Sequence, residues 1–480
     1  MAFTGWRAFA LVMILAAAPA FAEEAPSKPP PPASPAAAPA PAPARATTPA
    51  PTAPVASSAT APADTSILPN IDALVHVPAA AVPKPGQRLD VEAATQAYLD
   101  EIPPDAKARS DAYFEGGYIL IAVDFVYALL VAAILLWGKV SANLRDRAQR
   151  ITRFRWLQIA IYAVQYLIVA TVLTLPLQIY EGFIREHQYG LSNQTFLQWA
   201  GDFGIQFAFG IVFFTLFLVV LYTLIRWTGS RWWIWGAAFA ILFAAFQALI
   251  YPVFLAPALN HYQPLAQGQL REDILSMARA NGVPADNVWE FDASRQSKRM
   301  SANVSGFLGT TRVSLNDNLL RRGSPAEVRA VMGHELGHYV LRHVWMFLVD
   351  FTLLLLIAFG FIDWAFRGLV SRFGAAWRVN GIDDPAGLPV ILGLFAFLGF
   401  VGTPVLNSVT RNAEYQADIF GLNVAREPDG FAMTALKLSE YRKLDPTPWE
   451  EFIFYDHPSG RSRIHMAMQW KAENPDAGRR

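Results

Sequence analysis

Six apolar stretches, each close to the length of a membrane-crossing helix, constrain this chain more than any other feature. A helix needs about 20 predominantly apolar residues to cross the hydrocarbon core of a bilayer. The stretches occupy residues 116–137, 157–179, 203–225, 232–255, 345–366 and 386–407. Because lipid cannot satisfy backbone polar groups, only helices or closed barrels can cross it. The sequence therefore predicts a mainly α, polytopic membrane protein with about six transmembrane helices.

The composition agrees with this prediction and excludes some classes of function. Only 16% of the 480 residues are charged, whereas soluble domains average about 25%. The formal net charge is zero, so we expect no nucleic acid as a partner. The apolar spans make membrane lipid an expected partner. The chain has no cysteine. Histidine and carboxylate side chains therefore remain as the ligands for any transition-metal site.

The N-terminal residues are typical of an exported protein. Residues 1–22 resemble a signal peptide, with Arg7 before an apolar stretch and a small-residue cleavage site at Ala20-Phe21-Ala22. An uncleaved anchor helix is the alternative, and it places the following chain on the same side of the membrane. Residues 23–64 are nearly all Pro, Ala, Ser and Thr, so we expect a disordered tether. Residues 65–113 then form an N-terminal, non-cytoplasmic segment.

Basic residues in the loops predict the orientation of the spans. Lysine and arginine favour cytoplasmic loops, and here they are concentrated at residues 138–156, 226–231 and 367–378. This assignment places residues 256–344 and 408–480 on the opposite side, in agreement with the signal peptide. We therefore expect a multi-pass protein of a bacterial inner membrane whose water-exposed parts are periplasmic.

The spans divide the rest of the chain into four parts. Residues 114–255 hold four transmembrane helices, and residues 345–407 hold two. Residues 256–344 form a small α+β region, in which the residues flanking Gly309-Thr310 predict a hairpin. Residues 408–480 emerge on the same side as this region, so we expect the two to meet in one domain.

One predicted helix of the α+β region carries a metal-binding pattern. Ser324-Pro325-Ala326-Glu327 predicts the start of this helix, because it combines a cap, a proline in the first turn and a capping box. His334-Glu335-Leu336-Gly337-His338 follows. Histidines at i and i+4 share one helix face, so both can bind one zinc ion. Glu335 lies beside them, where it can act as the general base.

An acidic pair after the last span completes this pattern. Glu414 and Asp418 are spaced i and i+4 on a predicted helix, and an ordinary solvated face is the alternative interpretation. Glu414 can serve as the third zinc ligand, and Asp418 can accept the free ring N–H of a ligating histidine. Three ligands leave a position open for water, which is typical of a catalytic zinc site. The pattern thus predicts a membrane-embedded zinc metalloendopeptidase.

These motifs resemble the CAAX prenyl protease 1 family of integral-membrane zinc peptidases, and more distantly the bacterial protease HtpX. The similarity covers roughly residues 114–470 and includes Leu175-Pro176, Ser301-Ala302-Asn303, Leu319-Leu320, His457-Pro458 and Arg463. The resemblance implies a helical barrel around a water-filled chamber, with a gluzincin-type α+β zinc peptidase domain at its rim. It also implies that Asn303 binds the substrate main chain. By the same resemblance His457 and Arg463 are catalytic, because they steady the oxyanion or hold the peptide.

The resemblance also limits the choice of substrate. We expect a peptide or protein, with lipidated and membrane-associated ones included. The predicted orientation puts zinc outside the cytoplasm, where prenylated CAAX tails are not made, so CAAX cleavage is doubtful as the biological activity. Cleavage in envelope quality control is another interpretation.

Two further interpretations concern the whole chain. A catalytically silent scaffold or lipid-binding chamber protein can also keep zinc, but Glu335 has no structural task in it. A transporter is disfavoured because no inverted repeat is visible. A last prediction concerns His343, which follows His338 by five residues, about 140° around a regular helix. We therefore expect His343 to point away from the ligand face, and we leave it out of the metal site.

Overall fold

The computed structural model describes residues 76–84, 86–305 and 312–475. The predicted signal peptide at 1–22 and the tether at 23–64 lie outside these residues, as does the tip of the predicted hairpin at 306–311. Within the described residues the chain is mostly helical. Along the sequence, one small sheet lies between two sets of long helices.

Five helical segments are long and apolar enough to cross a membrane. They are Pro104–Trp137, Arg155–Gln188, Phe196–Ala248, His343–Trp377 and Pro385–Ala425. The third has 53 residues, and a straight helix of that length would measure about 80 Å. It instead contains two helices that are joined at Gly229–Arg231 and fold back on each other. Phe217 of the first helix packs against both Phe239 and Phe243 of the second. The predicted third and fourth spans are therefore the two arms of one helical hairpin.

The helices are numbered along the described chain, and the bounds of each are as follows. They are α1 (Val91–Leu99), α2 (Pro104–Trp137), α3 (Val140–Ile151), α4 (Arg155–Ile179), α5 (Arg185–Gln188), α6 (Phe196–Thr228), α7 (Trp232–Ile250), α8 (Ala256–Leu259), α9 (Gln269–Ala280), α10 (Asp317–Arg322), α11 (Pro325–Val340), α12 (His343–Trp377), α13 (Leu388–Ala425), α14 (Pro428–Lys437), α15 (Pro448–Phe454) and α16 (Gly460–Glu473). Single turns of π-helix, Tyr180–Ile184 and Tyr251–Leu255, follow α4 and α7.

The sheet has four strands in the order β1-β2-β4-β3. The strands are β1 (Tyr262–Pro264), β2 (Val288–Phe291), β3 (Ala302–Ser305) and β4 (Arg312–Asn316). β1 and β3 run antiparallel to their neighbours, whereas β2 and β4 are parallel. β3 and β4 are the two strands of the predicted hairpin. β3 is an edge strand and packs beside α11.

Two apolar cores hold the water-exposed part together. The first joins the sheet to α9 and α11 through Val288, Val313, Leu315 and Leu336. The second joins α1 to α14 and α16, and Lys471 Nζ also donates to the carbonyl of Ala81 over 2.7 Å. The residues before the first span and those after the last one therefore pack as one unit.

α13 is longer than the sequence pattern suggested. The predicted span at 386–407 and the predicted helix around Glu414 are one continuous helix of 38 residues, about 57 Å long. A helix of this length crosses the bilayer and extends well beyond it. Glu414 and Asp418 therefore lie on the rigid extension of a membrane helix.

Candidate metal centre

The helix that carries the two histidines, α11, begins as its sequence predicts. Ser324 caps it, Pro325 occupies the first turn and Glu327 closes a capping box. Glu327 is also buried and accepts a hydrogen bond from Lys437 Nζ over 2.8 Å. A buried carboxylate needs such a partner because an unpaired charge is costly. The start of α11 is therefore fixed to α14 as well as capped.

Small residues let α11 and α13 cross at very close range. A Cβ atom added at Gly421 would lie 2.7 Å from the backbone nitrogen of His334, and one added at Gly337 would lie 3.1 Å from Cα of Ala417. Only glycine permits such an approach of two backbones. The crossing brings the histidine face of α11 against the acidic face of α13.

Three side chains converge at this crossing, the two histidines through Nε2 and Glu414 through both carboxylate oxygens. Nε2 of His334 lies 3.1 Å from Nε2 of His338 and 3.2 Å from Oε2 of Glu414. Nε2 of His338 lies 3.5 Å from Oε1 of Glu414. Ligand atoms around a tetrahedral zinc ion lie about 3.3–3.6 Å apart, given bonds of about 2.0–2.2 Å. The three side chains can therefore hold one metal ion with little movement.

A buried charged pair supports His334 from behind. Nδ1 of His334 lies 2.7 Å from Oδ1 of Asp418, which is fully buried. Burial disfavours protonation of His334, but the hydrogen bonds to Asp418 and Glu414 outweigh it and raise its pKa to about 10. His334 would bind a metal ion through a deprotonated Nε2. Its Nδ1 would keep a proton and donate a hydrogen bond to Asp418, which would fix the tautomer that binds metal.

Arg463 reaches the site through Asp418. Its Nε and Nη2 atoms lie 2.8 and 2.9 Å from the two oxygens of that carboxylate, and Nη2 lies 3.5 Å from Oε2 of Glu414. Arg463 is itself buried. These contacts favour a positioning role for its guanidinium, which holds two acidic side chains in place.

Glu335 and His457 line the same site. Glu335 is half-buried, and burial raises the pKa of its carboxyl group, as expected for a general base that works near neutral pH. Nε2 of His457 lies 3.2 Å from Oε2 of Glu414, and its Nδ1 lies 2.8 Å from Asp456. Burial and the nearby Arg442 lower the pKa of His457. Because a carboxylate can only accept, Nδ1 of His457 donates the hydrogen bond to Asp456.

His343 is not part of the possible ligand set, as predicted, but the direction predicted for its side chain was wrong. Its Nδ1 atom lies 3.0 Å from Nδ1 of His338, and the residue is buried. The predicted direction assumed one regular helix, whereas the chain breaks between α11 and α12. Arg342 there has a left-handed backbone conformation with φ of 57°, which turns the chain back toward α11.

Asn303 lies on the edge strand, as expected. It pairs with Ser314 of β4 and is half-buried. Within the described residues no strand pairs with the outer edge of β3. An extended peptide can add to such an edge through main-chain hydrogen bonds.

Two residues of the site were not predicted from the sequence. Gln416 lies between the two acidic residues of α13, and its Oε1 atom faces His343 Nε2 at 3.4 Å. Asp456 precedes His457 and contacts its ring. Neither has a spacing that marks it, although the run Glu414-Tyr415-Gln416-Ala417-Asp418 is unusually polar for the end of a membrane helix.

Comparisons with known proteins agree with this geometry. The model for peptidase family M48 matches residues 264–471, and the model for the CAAX prenyl protease N-terminal region, described as five membrane helices, matches residues 90–261. An uncharacterized metalloprotease of Bacillus subtilis, YhfN, is 32% identical over 343 residues, which are 71% of this chain and 80% of that protein. The chain belongs to peptidase family M48. It is a membrane-embedded metallopeptidase.

Other relatives of this M48 peptidase carry the CAAX prenyl protease name. A CAAX prenyl protease 1 homolog of Oryza sativa subsp. japonica is 28% identical over 362 residues, covering 73% of this chain and 82% of the relative. CAAX prenyl protease 1 of Saccharomyces cerevisiae is 26% identical over 325 residues, covering 64% and 70%. The crystal structure of S. mikatae Ste24p matches with a TM-score of 0.67 at 19% identity, over 77% of this chain and 90% of that one. The fold is therefore shared with Ste24p.

Proposed function

We propose that this M48 peptidase is a zinc metalloendopeptidase whose one zinc ion is held by His334, His338 and Glu414. The observation that carries the proposal is the convergence of these side chains: the two Nε2 atoms lie 3.1 Å apart, and they lie 3.2 and 3.5 Å from the two oxygens of Glu414. These distances suit a tetrahedral ion with its fourth position open to water. The absence of cysteine from the chain and the nitrogen and oxygen donors also suit zinc.

The roles of the other residues follow from their contacts. A zinc ion held by His334, His338 and Glu414 would supply a Lewis acid for the scissile carbonyl and for a water molecule. Glu335 is placed to take a proton from the attacking water and to deliver it to the leaving amine. His457 lies against Glu414, where its ring can steady the developing oxyanion or hold the peptide. Asp418 and Arg463 keep His334 and Glu414 in position.

The substrate we propose is an extended peptide segment, lipidated or membrane-associated ones included. Its main chain adds to the outer edge of β3 and so passes Asn303. β3 lies beside α11, so a peptide held there runs along the helix that carries Glu335. The prenyl protease names of the relatives support a lipidated substrate, whereas the predicted side of the membrane favours envelope proteins.

The proposed location is a bacterial inner membrane with the metal centre on the periplasmic side. α12 begins at the metal centre and ends at Trp377, about 52 Å away. At that far end Arg145 and Arg378 bind Asp384 and Asp146, among the basic loops that favour the cytoplasm. We also propose that residues 1–22 are a signal peptide and 23–64 a tether. The water-exposed parts, 256–344 and 408–480, then form one peptidase domain.

Two substitutions test the zinc site and the base separately. His334→Ala should lose both zinc and activity in the purified full-length protein, because one of three ligands is removed. Glu335→Gln should keep one zinc per chain and lose about 10²–10⁴-fold in activity. Zinc content by mass spectrometry and cleavage of labelled casein and of a farnesylated CAAX peptide measure the two effects. Stoichiometric zinc in His334→Ala would refute the ligand assignment, and bound zinc with no cleavage in the wild type would favour a silent scaffold.

Cysteine labelling tests the orientation, since the chain has no cysteine of its own. Ala266→Cys and Ser230→Cys change exposed residues on the metal-centre side and in the α6–α7 turn. An impermeant maleimide added to intact spheroplasts should label the first variant and leave the second unlabelled. The reverse pattern would place the metal centre in the cytoplasm and make CAAX substrates accessible.

A further inference from the structure

His343 has a contact that the proposed mechanism does not use. Its Nδ1 atom faces Nδ1 of His338 at 3.0 Å, and its Nε2 atom faces Oε1 of Gln416 at 3.4 Å. The two imidazole planes are nearly perpendicular, with an angle of 76° and ring centroids 5.0 Å apart. His343 is only 2% exposed, so water does not compete for these contacts. Phe347 of the next turn packs against the same ring.

These contacts define which nitrogen atoms carry protons. The Gln416 carbonyl oxygen accepts, so Nε2 of His343 must donate to it. A neutral imidazole carries one N–H, which leaves a lone pair on Nδ1 of His343. Nδ1 of His338 therefore donates to that lone pair. The remaining lone pair of His338 is then on Nε2, which is the atom at the metal centre.

The opposite arrangement is incompatible with a metal ligand. If Nδ1 of His343 donated to His338, the single proton of a neutral His338 would occupy Nε2. A protonated Nε2 cannot bind a metal ion. The direction of this hydrogen bond therefore decides whether His338 is a ligand at all.

The backbone break at Arg342 makes the contact possible. On a regular helix His343 would lie about 140° from His338. The left-handed conformation of Arg342 ends α11 and starts α12 on a new axis, so His343 returns to the metal-binding face. Gln416 meets it from α13, two residues before Asp418 and two after Glu414.

We propose that His343 is a positioning residue that fixes the metal-binding tautomer of His338, with Gln416 fixing His343 in turn. The inference rests on the proposed zinc site, which it deepens. In this arrangement each zinc-binding histidine has an outer hydrogen-bond partner: Asp418 for His334 and His343 for His338. Outer partners of this kind typically contribute about 10–100-fold in metal affinity or activity.

The test compares two substitutions of His343. His343→Leu keeps much of the volume but offers no acceptor, so it should weaken zinc affinity by about 10–100-fold. His343→Asn places an amide oxygen near the position of Nδ1 and should restore affinity to within a few-fold of wild type. Zinc affinity is measured on the purified full-length protein by competition with a chromogenic chelator, without any activity assay. His465→Leu, on the half-exposed side chain of α16, is the matched control and should leave affinity unchanged.

The outcomes separate this inference from the proposed function. Wild-type zinc affinity in His343→Leu would overturn the inference while leaving the zinc site intact, and so would equal losses in the Leu and Asn variants. Failure of the wild-type protein to bind zinc would instead refute the site itself. If His343→Leu does not fold, Gln416→Leu replaces it, because it removes only the outer acceptor. That variant should lose zinc affinity several-fold, and an unchanged affinity would overturn the inference.

Discussion

The two histidines of the proposed zinc site are supported in chemically different ways. His334 is backed by Asp418 and Arg463, a buried ion pair with hydrogen bonds of 2.8 and 2.9 Å. His338 is backed by His343 and Gln416, which are neutral groups at 3.0 and 3.4 Å. Removing the partner of a buried charge destabilises the fold strongly, whereas removing the partner of a buried neutral group destabilises it much less. We therefore expect the His334 side to control both folding and metal binding, and the His338 side to control mainly metal binding.

Both sides depend on the same helix. α13 supplies Glu414 as a proposed ligand, Asp418 to the charged side and Gln416 to the neutral side. This helix is continuous with the membrane span and contains Pro404. The extension of one membrane helix therefore sets the position of three groups at once, and the close crossing with α11 sets their distance from the histidines.

The largest effect should come from the charged side. Asp418→Asn removes the counter-ion of the buried Arg463, and breaking a buried pair in this way costs about 3–5 kcal/mol. We expect the variant to unfold several degrees below wild type in detergent and to lose about 10–100-fold in zinc affinity. Differential scanning fluorimetry and chelator competition measure these two quantities.

A matched substitution at the far end of the protein is the control for this prediction. Asp363→Asn makes the same chemical change at an ion pair whose arginine, Arg367, is 54% exposed, and pairs with such an exposed partner contribute only about 0–1 kcal/mol. The new amide oxygen can still accept the hydrogen bond that Trp232 Nε1 donates to Asp363. This variant should have an unfolding temperature close to that of the wild type and an unchanged zinc affinity. Equal stability of the Asp418 and Asp363 variants would remove the difference between the two sides of the site.

An intermediate effect should come from the helix crossing, where the two sides can be disturbed in turn. A Cβ atom at Gly421 would meet backbone of α11 at 2.7 Å, whereas one at Gly337 would meet its neighbours at 3.1 Å. Overpacking costs about 1–3 kcal/mol, so Gly421→Ala should lower the unfolding temperature and zinc affinity more than Gly337→Ala. The reverse order in the same two assays would mean that the helices separate easily beside His334.

The sequence predicts those parts of the site that depend on local periodicity. His334 and His338, and likewise Glu414 and Asp418, are i and i+4 on regular helices, so each pair could be placed on one face. The family resemblance added His457 and Arg463, which the chain brings to the site from distant positions, and Asn303, which lies on the edge strand. The longer α13 was missed because polar residues after 407 resemble the end of a span, although a helix can continue into water when it packs on another helix.

The contact of His343 could not be predicted, because it depends on one backbone angle. Arginine is not a residue that signals a left-handed conformation, since glycine and asparagine are the usual ones. The same conformation recurs at Lys139, Arg378 and Arg426, each next to a helix end. A basic side chain near a helix C-terminus is stabilised by the helix dipole, which offsets part of the backbone strain. The periodicity of the sequence therefore gives no information about the backbone conformation of Arg342.

The smallest effect should come from Arg342 itself, and it should fall on the neutral side alone. Arg342→Gly relieves the left-handed strain of φ 57°, about 1 kcal/mol, so stability and zinc affinity should stay close to wild type. Arg342→Val should cost about 1–3 kcal/mol because a β-branched residue resists this conformation. It should also weaken zinc binding by moving His343 away from His338.

Arg426→Val is the control, since Arg426 has the same φ and lies at the end of α13, beyond the residues of the site. It should lower the unfolding temperature to a similar extent and leave zinc affinity unchanged, whereas equal zinc losses in the two valine variants would show that general destabilisation, and not the His343 contact, is responsible.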